Sequence, residues 1–161
     1  MTVTAGRVTL RPLDPADRVR VEAMTRAVGL FRDDEIPVAV EVFEAAAART
    51  DTYEGLAALR EGVVAGWICW GPTPCTLGTY DLYWIVVDPA HHGQGIGTVL
   101  VDEMERQLRG KARLIVVETA GRKDYEPTRE FYRRRGYEET AVLPDFYAPG
   151  DDKVSFVKRV G

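Results

Sequence analysis

The chain has 161 residues, 45% of them hydrophobic and 29% charged, with a formal net charge of −4. That is enough apolar material for a single domain, residues 1–161, whose core needs no disulfide or metal. The acidic balance excludes the basic field that a nucleic-acid or anionic-membrane surface requires. The N-terminal segment carries Arg7 and Arg11 where a secretory signal would be apolar, which predicts a cytoplasmic chain. The longest uncharged run, residues 62–80, is interrupted by Gly66, Gly71, Pro72 and Pro74, so it is not read as a membrane span. Cys69 and Cys75 stand without a Cys-His grouping of zinc type and are read as reduced structural thiols, with no metal site.

In chain order, "VTLRPL" (8–13) alternates as an edge strand does, and Asp14-Pro15 offers an N-cap with proline at the first helical position, predicting a helix to about Val28. A second helix follows Asp33-Asp34, with Ile36, Val40, Phe43 and Ala47 at helical spacing. Residues 53–60 and 63–70 flank Glu61-Gly62 and predict an antiparallel hairpin. The next strand, "TYDLYWIVV" (79–87), is apolar on both faces and therefore central, with Asp81 as its one charged residue.

From Gly95 to about Arg109 the apolar positions Ile96, Val99, Leu100, Met104 and Leu108 follow a helical period, and Gly110 stops it. "ARLIVVET" (112–119) reads as a buried strand, so strand, helix and strand predict a parallel pair inside an otherwise antiparallel sheet. A short helix near Pro127 ends at Gly136. The strands "YEETAVL" and "KVSFVKRV" then close the chain around a loop, "PDFYAPGDD". The fold class is mixed α/β: a mostly antiparallel sheet of six to seven strands with a central parallel pair and helices on both faces.

Between the central strand and its helix lies "DPAHHGQGIG", a glycine-rich turn into a helix start, where unpaired N–H groups and the positive end of the helix dipole suit a phosphate. No Gly-Lys-Ser/Thr follows, which excludes a P-loop. A dinucleotide fold is opposed by the spacing of Gly93, Gly95 and Gly97, which puts Thr98 where a third glycine belongs. About ninety residues of helices and antiparallel strands also precede the unit.

"VVDPAHHGQGIGTVLV" resembles the acetyl-CoA pyrophosphate loop of the GNAT superfamily of N-acetyltransferases, with Gly95 and Gly97 on the pattern and His92 where Gln or Arg is usual. "TREFYRRRGYEE" (128–139) is similar to the second signature of that family, with Tyr125 at a position often held by Asn. The resemblance implies that His92, Gly93, Gln94, Gly95, Ile96, Gly97 and Thr98 surround the pyrophosphate. It also implies that the backbone of Ile85, Val86 and Val87 holds the pantetheine arm and thioester carbonyl, and that Tyr132 protonates the leaving thiolate.

Asp81 stands eleven residues before His92, where several members of the family carry a glutamate base; it reads either as that base, acting through water, or as an aspartate hydrogen-bonded near the strand's start. Glu118 reads first as an exposed strand end, and Arg133, Arg134 and Arg135 either as a solvated helix face or as phosphate partners. The implied function is transfer of an acetyl group from acetyl-CoA, a co-substrate, to a small-molecule or peptide amine by a monomer or homodimer. A longer acyl-CoA, a CoA-binding regulatory module and a Rossmann-type oxidoreductase are the alternatives.

Overall fold

The computed structural model describes residues 3–5 and 7–161, with side chains from Arg7 onward. The strands are β1 (Val3–Ala5), β2 (Val8–Pro12), β3 (Glu54–Arg60), β4 (Val63–Pro72), β5 (Thr79–Val87), β6 (Leu114–Ala120), β7 (Glu138–Ala148) and β8 (Asp151–Arg159). The helices are α1 (Arg18–Ala27), α2 (Ile36–Ala48), α3 (Ile96–Leu108) and α4 (Glu126–Arg134). Two compact units are built from them, one of residues Met1–Gly71 and Tyr83–Leu108, the other of Pro72–Leu82 and Arg109–Gly161.

In the first unit the strand order is β1-β2-β3-β4-β5. β2 pairs antiparallel with β3, Leu10 opposite Ala58, and β3 with β4, Ala57 opposite Trp67. Alternation along β4 sends Trp67 and Cys69 into a core of Val21, Met24, Ala39, Phe43 and Ala47 from α1 and α2. Gly66 points the other way, where a β-carbon would meet Ile96 and Leu100 of α3. Helices therefore cover both faces of this sheet. Trp67 is fully buried, edge-on to Phe43, and its indole N–H donates to the Thr25 hydroxyl at 3.1 Å, which donates in turn to the Val21 carbonyl at 2.7 Å. No polar atom of that chain is left unsatisfied.

The expected helix after Asp14 opens with a short 3-10 turn, Pro15–Asp17, before α1 begins. Asp14 and Asp17 form a reciprocal capping box there, and Asp17 also receives a bidentate pair from Arg11 at 2.8 and 2.9 Å. The ion pair locks the end of β2 to the start of the helix.

In the second unit the order is β5-β6-β8-β7. β5 and β6 run parallel, Thr79–Leu82 against Leu114–Val117, and the other described registers are antiparallel. The predicted strand at 112–119 starts two residues late because the Arg113 and Leu114 N–H groups are both directed at the Gly78 carbonyl, at 2.7 and 3.2 Å. The loop predicted at 144–152 is largely strand. β7 continues through it to Ala148 by an irregular register, in which Asp145 takes φ 55° and side chains replace ladder bonds. The Asp145 N–H donates to Asp152 at 2.9 Å, and the Gly150 N–H to Asp145 at 2.7 Å. β7 ends the strand order, and the bulge with Pro144 gives that edge a shape poorly suited to pairing with another strand.

Arg129 of α4 is buried and donates to the Ala120 carbonyl at 2.5 Å and the Arg122 carbonyl at 2.9 Å, fastening the helix to the end of β6. Tyr132 stands next to it in the core among the rings of Phe131, Tyr137 and Phe156.

The Arg11–Asp17 pair carries a pH signature. Burial opposes the charge on Asp17, but the hydrogen bonds from Arg11 and the Asp14 N–H outweigh it and hold the carboxyl below its ordinary 3.8. Its contribution is therefore complete above pH 3.8 and is lost as pH falls below that value. Asp17→Asn is expected to lower unfolding free energy by about 1–3 kcal/mol at pH 7, with the gap from the native chain closing under acid, as read by urea titrations at several pH values.

Candidate active site

The turn after β5 is held from three directions. Asp88 follows the strand directly; its N–H donates to the Ala65 carbonyl of β4 at 2.8 Å, and its carboxylate caps a 3-10 turn, Pro89–His91, by accepting from the Ala90 N–H at 2.9 Å. The same carboxylate pairs with Arg20 of α1, whose Nε donates to the Val64 carbonyl at 2.9 Å. The Ala90 bond, ahead of the Arg20 pair, keeps the Asp88 carboxyl below its ordinary range against the opposing effect of burial. His92 closes the turn, its Nε2 3.0 Å from the Val87 carbonyl oxygen and donating to it in the tautomer protonated there. His91 Nδ1 lies 3.3 Å from Gln94 Oε1.

Gly93 and Gly95 then take φ 78° and 79°, the left-handed region, and a β-carbon on either would meet no atom within 4 Å. Glycine is required for the backbone's sake, and the space in front of it is open. α3 starts at Ile96, with the Val99 N–H bonded to the Gly95 carbonyl at 3.1 Å as its first rung. The N–H groups of Ile96, Gly97 and Thr98 therefore have no acceptor within the helix. Ile96 is buried as the anchor, while Gly93, Gln94 and Gly95 are exposed. Gly97 belongs to the first turn of α3, as the helical period from Gly95 predicts.

Of the strand residues, Val86 is buried in the core and Ile85 and Val87 are half-buried, so their side chains hold β5 in place and their backbone is what remains for a ligand. The predicted strand and loop residues thus follow one another from the end of β5 to the start of α3 in the first unit.

Asp81 and Tyr132, the two residues expected to handle protons, belong to the second unit, in different surroundings. Asp81 is half-buried and accepts from the Thr73 hydroxyl at 2.7 Å; Thr73 N–H donates to the Thr79 carbonyl at 2.8 Å, so the aspartate is set by the turn between β4 and β5. Tyr132 is 2% exposed. Burial, and after it the neighbouring Tyr125, pushes its phenol well above the ordinary 10.0, which keeps it protonated. Glu118 is paired with Lys153 at 2.9 Å, the exposed strand end expected first. Arg133 and Arg134 pair with Glu126, Glu130 and Glu139 at 3.3–3.5 Å, as a solvated helix face does.

Neither the cap made by Asp88 nor its pairing with Arg20, 68 residues earlier, was read from the sequence. Cys69 is buried, its thiol pushed up to about 12 by desolvation, so it has no nucleophilic role; Cys75 is exposed. No group of His, Cys, Asp and Glu among the described residues could hold a metal ion.

A turn with two left-handed glycines that leads into a helix start, whose first three N–H groups have no acceptor within the helix, fits the pyrophosphate of a nucleotide cofactor. A family model for the acetyltransferase (GNAT) family matches residues 19–137. The chain belongs to the GNAT family.

A crystal structure of a GNAT-family protein from Desulfovibrio desulfuricans is 38% identical, covers 96% of this chain and 99% of its own, and superposes with a TM-score of 0.89. A Salmonella typhimurium protein solved with acetyl-CoA has TM-score 0.75 at 19% identity, over 97% of this chain and 95% of that one. The ribosomal-protein-S18-alanine N-acetyltransferase of Escherichia coli has TM-score 0.78 at 16% identity, over 96% and 94%. No curated protein matches by sequence. The GNAT fold, with its single parallel pair among the described registers, excludes the Rossmann alternative, and acetyl-CoA is the co-substrate of an N-acetyltransferase acting on an amine.

Gly95→Val places a β-branched residue at a positive φ and fills the approach to the helix start. Its affinity for acetyl-CoA is expected to fall by at least about tenfold in calorimetry, with circular dichroism unchanged. Asp88→Ala leaves every loop residue in place and removes only the clasp. A loss of about threefold to tenfold is expected there, and an affinity equal to the native one would show that the loop needs no such support.

Proposed function

We propose that residues 1–161 act as one domain that transfers the acetyl group of acetyl-CoA directly to the primary amine of a small or cationic substrate. The observation that carries this reading is the open, glycine-framed start of α3 behind β5, in a chain of the GNAT family. In it, His92, Gly93, Gln94, Gly95, Ile96, Gly97 and Thr98 surround the pyrophosphate, and the backbone of Ile85, Val86 and Val87 holds the pantetheine arm and thioester carbonyl. The acidic composition fits a cationic acceptor in the cytoplasm, and no helix among the described residues is long and apolar enough to cross a membrane.

An alkylamine with a pKa near that of lysine is neutral in only about one molecule in a few thousand at pH 7, so the proton must first be removed. Asp81 takes it through a water molecule, its carboxylate oriented by Thr73. The amine nitrogen then attacks the thioester carbonyl carbon. A C–N bond forms, the C–S bond breaks, and the Tyr132 hydroxyl gives its proton to the departing sulfur. The phenolate regains a proton from solvent, which balances the one accepted by Asp81. Burial keeps the Tyr132 phenol protonated, the state a hydrogen-bond donor to the departing sulfur must be in.

Release of free thiol from acetyl-CoA on addition of amines tests the reading. Binding without release would make the chain a CoA-binding module, and faster release from a longer acyl-CoA would change the donor. Tyr132→Phe removes only the hydroxyl and is expected to lower kcat by about tenfold to a thousandfold while acetyl-CoA affinity and folding stability hold. Asp81→Asn is expected to lower turnover at pH 7 and to recover toward the native rate as pH approaches the amine's own pKa, where the acceptor arrives neutral. A constant deficit across pH, or none at pH 7, would remove Asp81 from the proton path.

A further inference from the structure

The first unit carries four half-buried aromatic rings beside the part of β5 assigned to the thioester, and the acyl-transfer reading gives them no task. Trp84 immediately precedes Ile85 on that strand. Phe31, from the connection between α1 and α2, meets its ring edge-on at a centroid distance of 4.8 Å. Tyr83, the residue before, meets Tyr53 edge-on at 5.1 Å. Phe31, Tyr53 and Trp84 all pack against one core cluster on their inner side, yet none is fully buried.

Gly71 explains how the second pair lies so close to the sheet. A β-carbon there would sit 3.2 Å from Tyr83 and 3.4 Å from Tyr53, so a bare stretch of β4 underlies both rings. Acids flank the rings in the chain: Asp33, Asp34 and Glu35 after Phe31, and Asp51 and Glu54 around Tyr53. The Glu54 carboxylate is fixed by the indole N–H of the buried Trp70 at 3.0 Å, and Asp33, Asp34 and Glu35 are paired with Arg26 and Arg32 at 3.0–3.9 Å, so the rings rather than these acids face a ligand.

Ring edges and faces of this kind offer apolar area and attraction for a cation, and few hydrogen bonds. A polyhydroxylated amine would lose its water there without replacement. An ammonium on a flat apolar body would lose little and gain the attraction of the ring faces. We infer that Phe31, Tyr53, Tyr83 and Trp84 form the acceptor wall and select arylalkylamines, primary amines on an aromatic body, over sugar-like amines. This rests on the transferase reading for its position and on the rings themselves for its selectivity.

The test compares binding of 2-phenylethylamine and glucosamine to the full chain by ligand-observed NMR, with and without coenzyme A, together with acetyl transfer to each. 2-Phenylethylamine is expected to bind at least about tenfold more tightly, the equivalent of one good cation–aromatic contact. Trp84→Ala and Phe31→Ala should each raise its Kd and KM by about tenfold while acetyl-CoA affinity stays within about twofold. Phe31→Leu keeps the volume without the ring and should lose part of that, so a misfolded alanine variant does not decide the result. Equal or tighter binding of glucosamine, or an unchanged phenylethylamine affinity in folded Trp84 and Phe31 variants, overturns the wall. Failure of the native chain to bind acetyl-CoA would instead overturn the transferase reading, and the amine comparison made without cofactor would still decide the wall.

Discussion

The carboxylate of Asp88 is the point on which the candidate site depends. A helix start can offer its N–H groups to an anion only if the chain in front of it is held away from them, and left-handed glycines provide the turn without providing rigidity. Rigidity comes from one side chain that caps the 3-10 turn and pairs with Arg20, while its own N–H is bonded to Ala65. The loop is therefore flexible by composition and fixed by contact. Arg20 in turn ties Asp88 to the Val64 carbonyl, so α1, β4 and the loop share one small polar knot.

β5 explains why that knot stands where it does. A strand with apolar residues toward both faces is held in place by its neighbours, and the side chains of Val86 and Leu82 are committed to the interior. What such a strand can still offer a ligand is its backbone, and backbone recognition leaves almost no mark on residue identity. Tyr83 and Trp84 add large, half-buried aromatic rings to that backbone.

Much of the element order was legible because it rests on local rules. The helical period of α2 and α3, the Glu61-Gly62 hairpin and the apolar run of β5 each declare themselves within about a dozen residues. The glycine loop was legible for the same reason. Features made by long-range pairing were not. Arg20 is an ordinary surface arginine until α1 is placed beside β4, and Arg129 reads as helix charge until its guanidinium meets the end of β6. The run 144–152 looked like a loop because Pro, Gly and Asp usually make one; here Asp145 and Asp152 bond the backbone themselves and let β7 continue. Tyr125 and Tyr132 are seven residues apart, yet their electrostatic coupling depends on how the 3-10 turn before α4 is folded.

The two cysteines differ in a way that gives the molecule a ready-made point of attachment. Cys69 lies in the core with its thiolate suppressed, whereas Cys75 is exposed on the turn between β4 and β5, close in sequence to the threonine that orients Asp81. A maleimide dye or spin label added to the unaltered chain should therefore modify one position. That reporter would sit two residues from Thr73 and leave the glycine loop untouched, so the movement of this turn during acceptor binding could be followed without engineering the sequence.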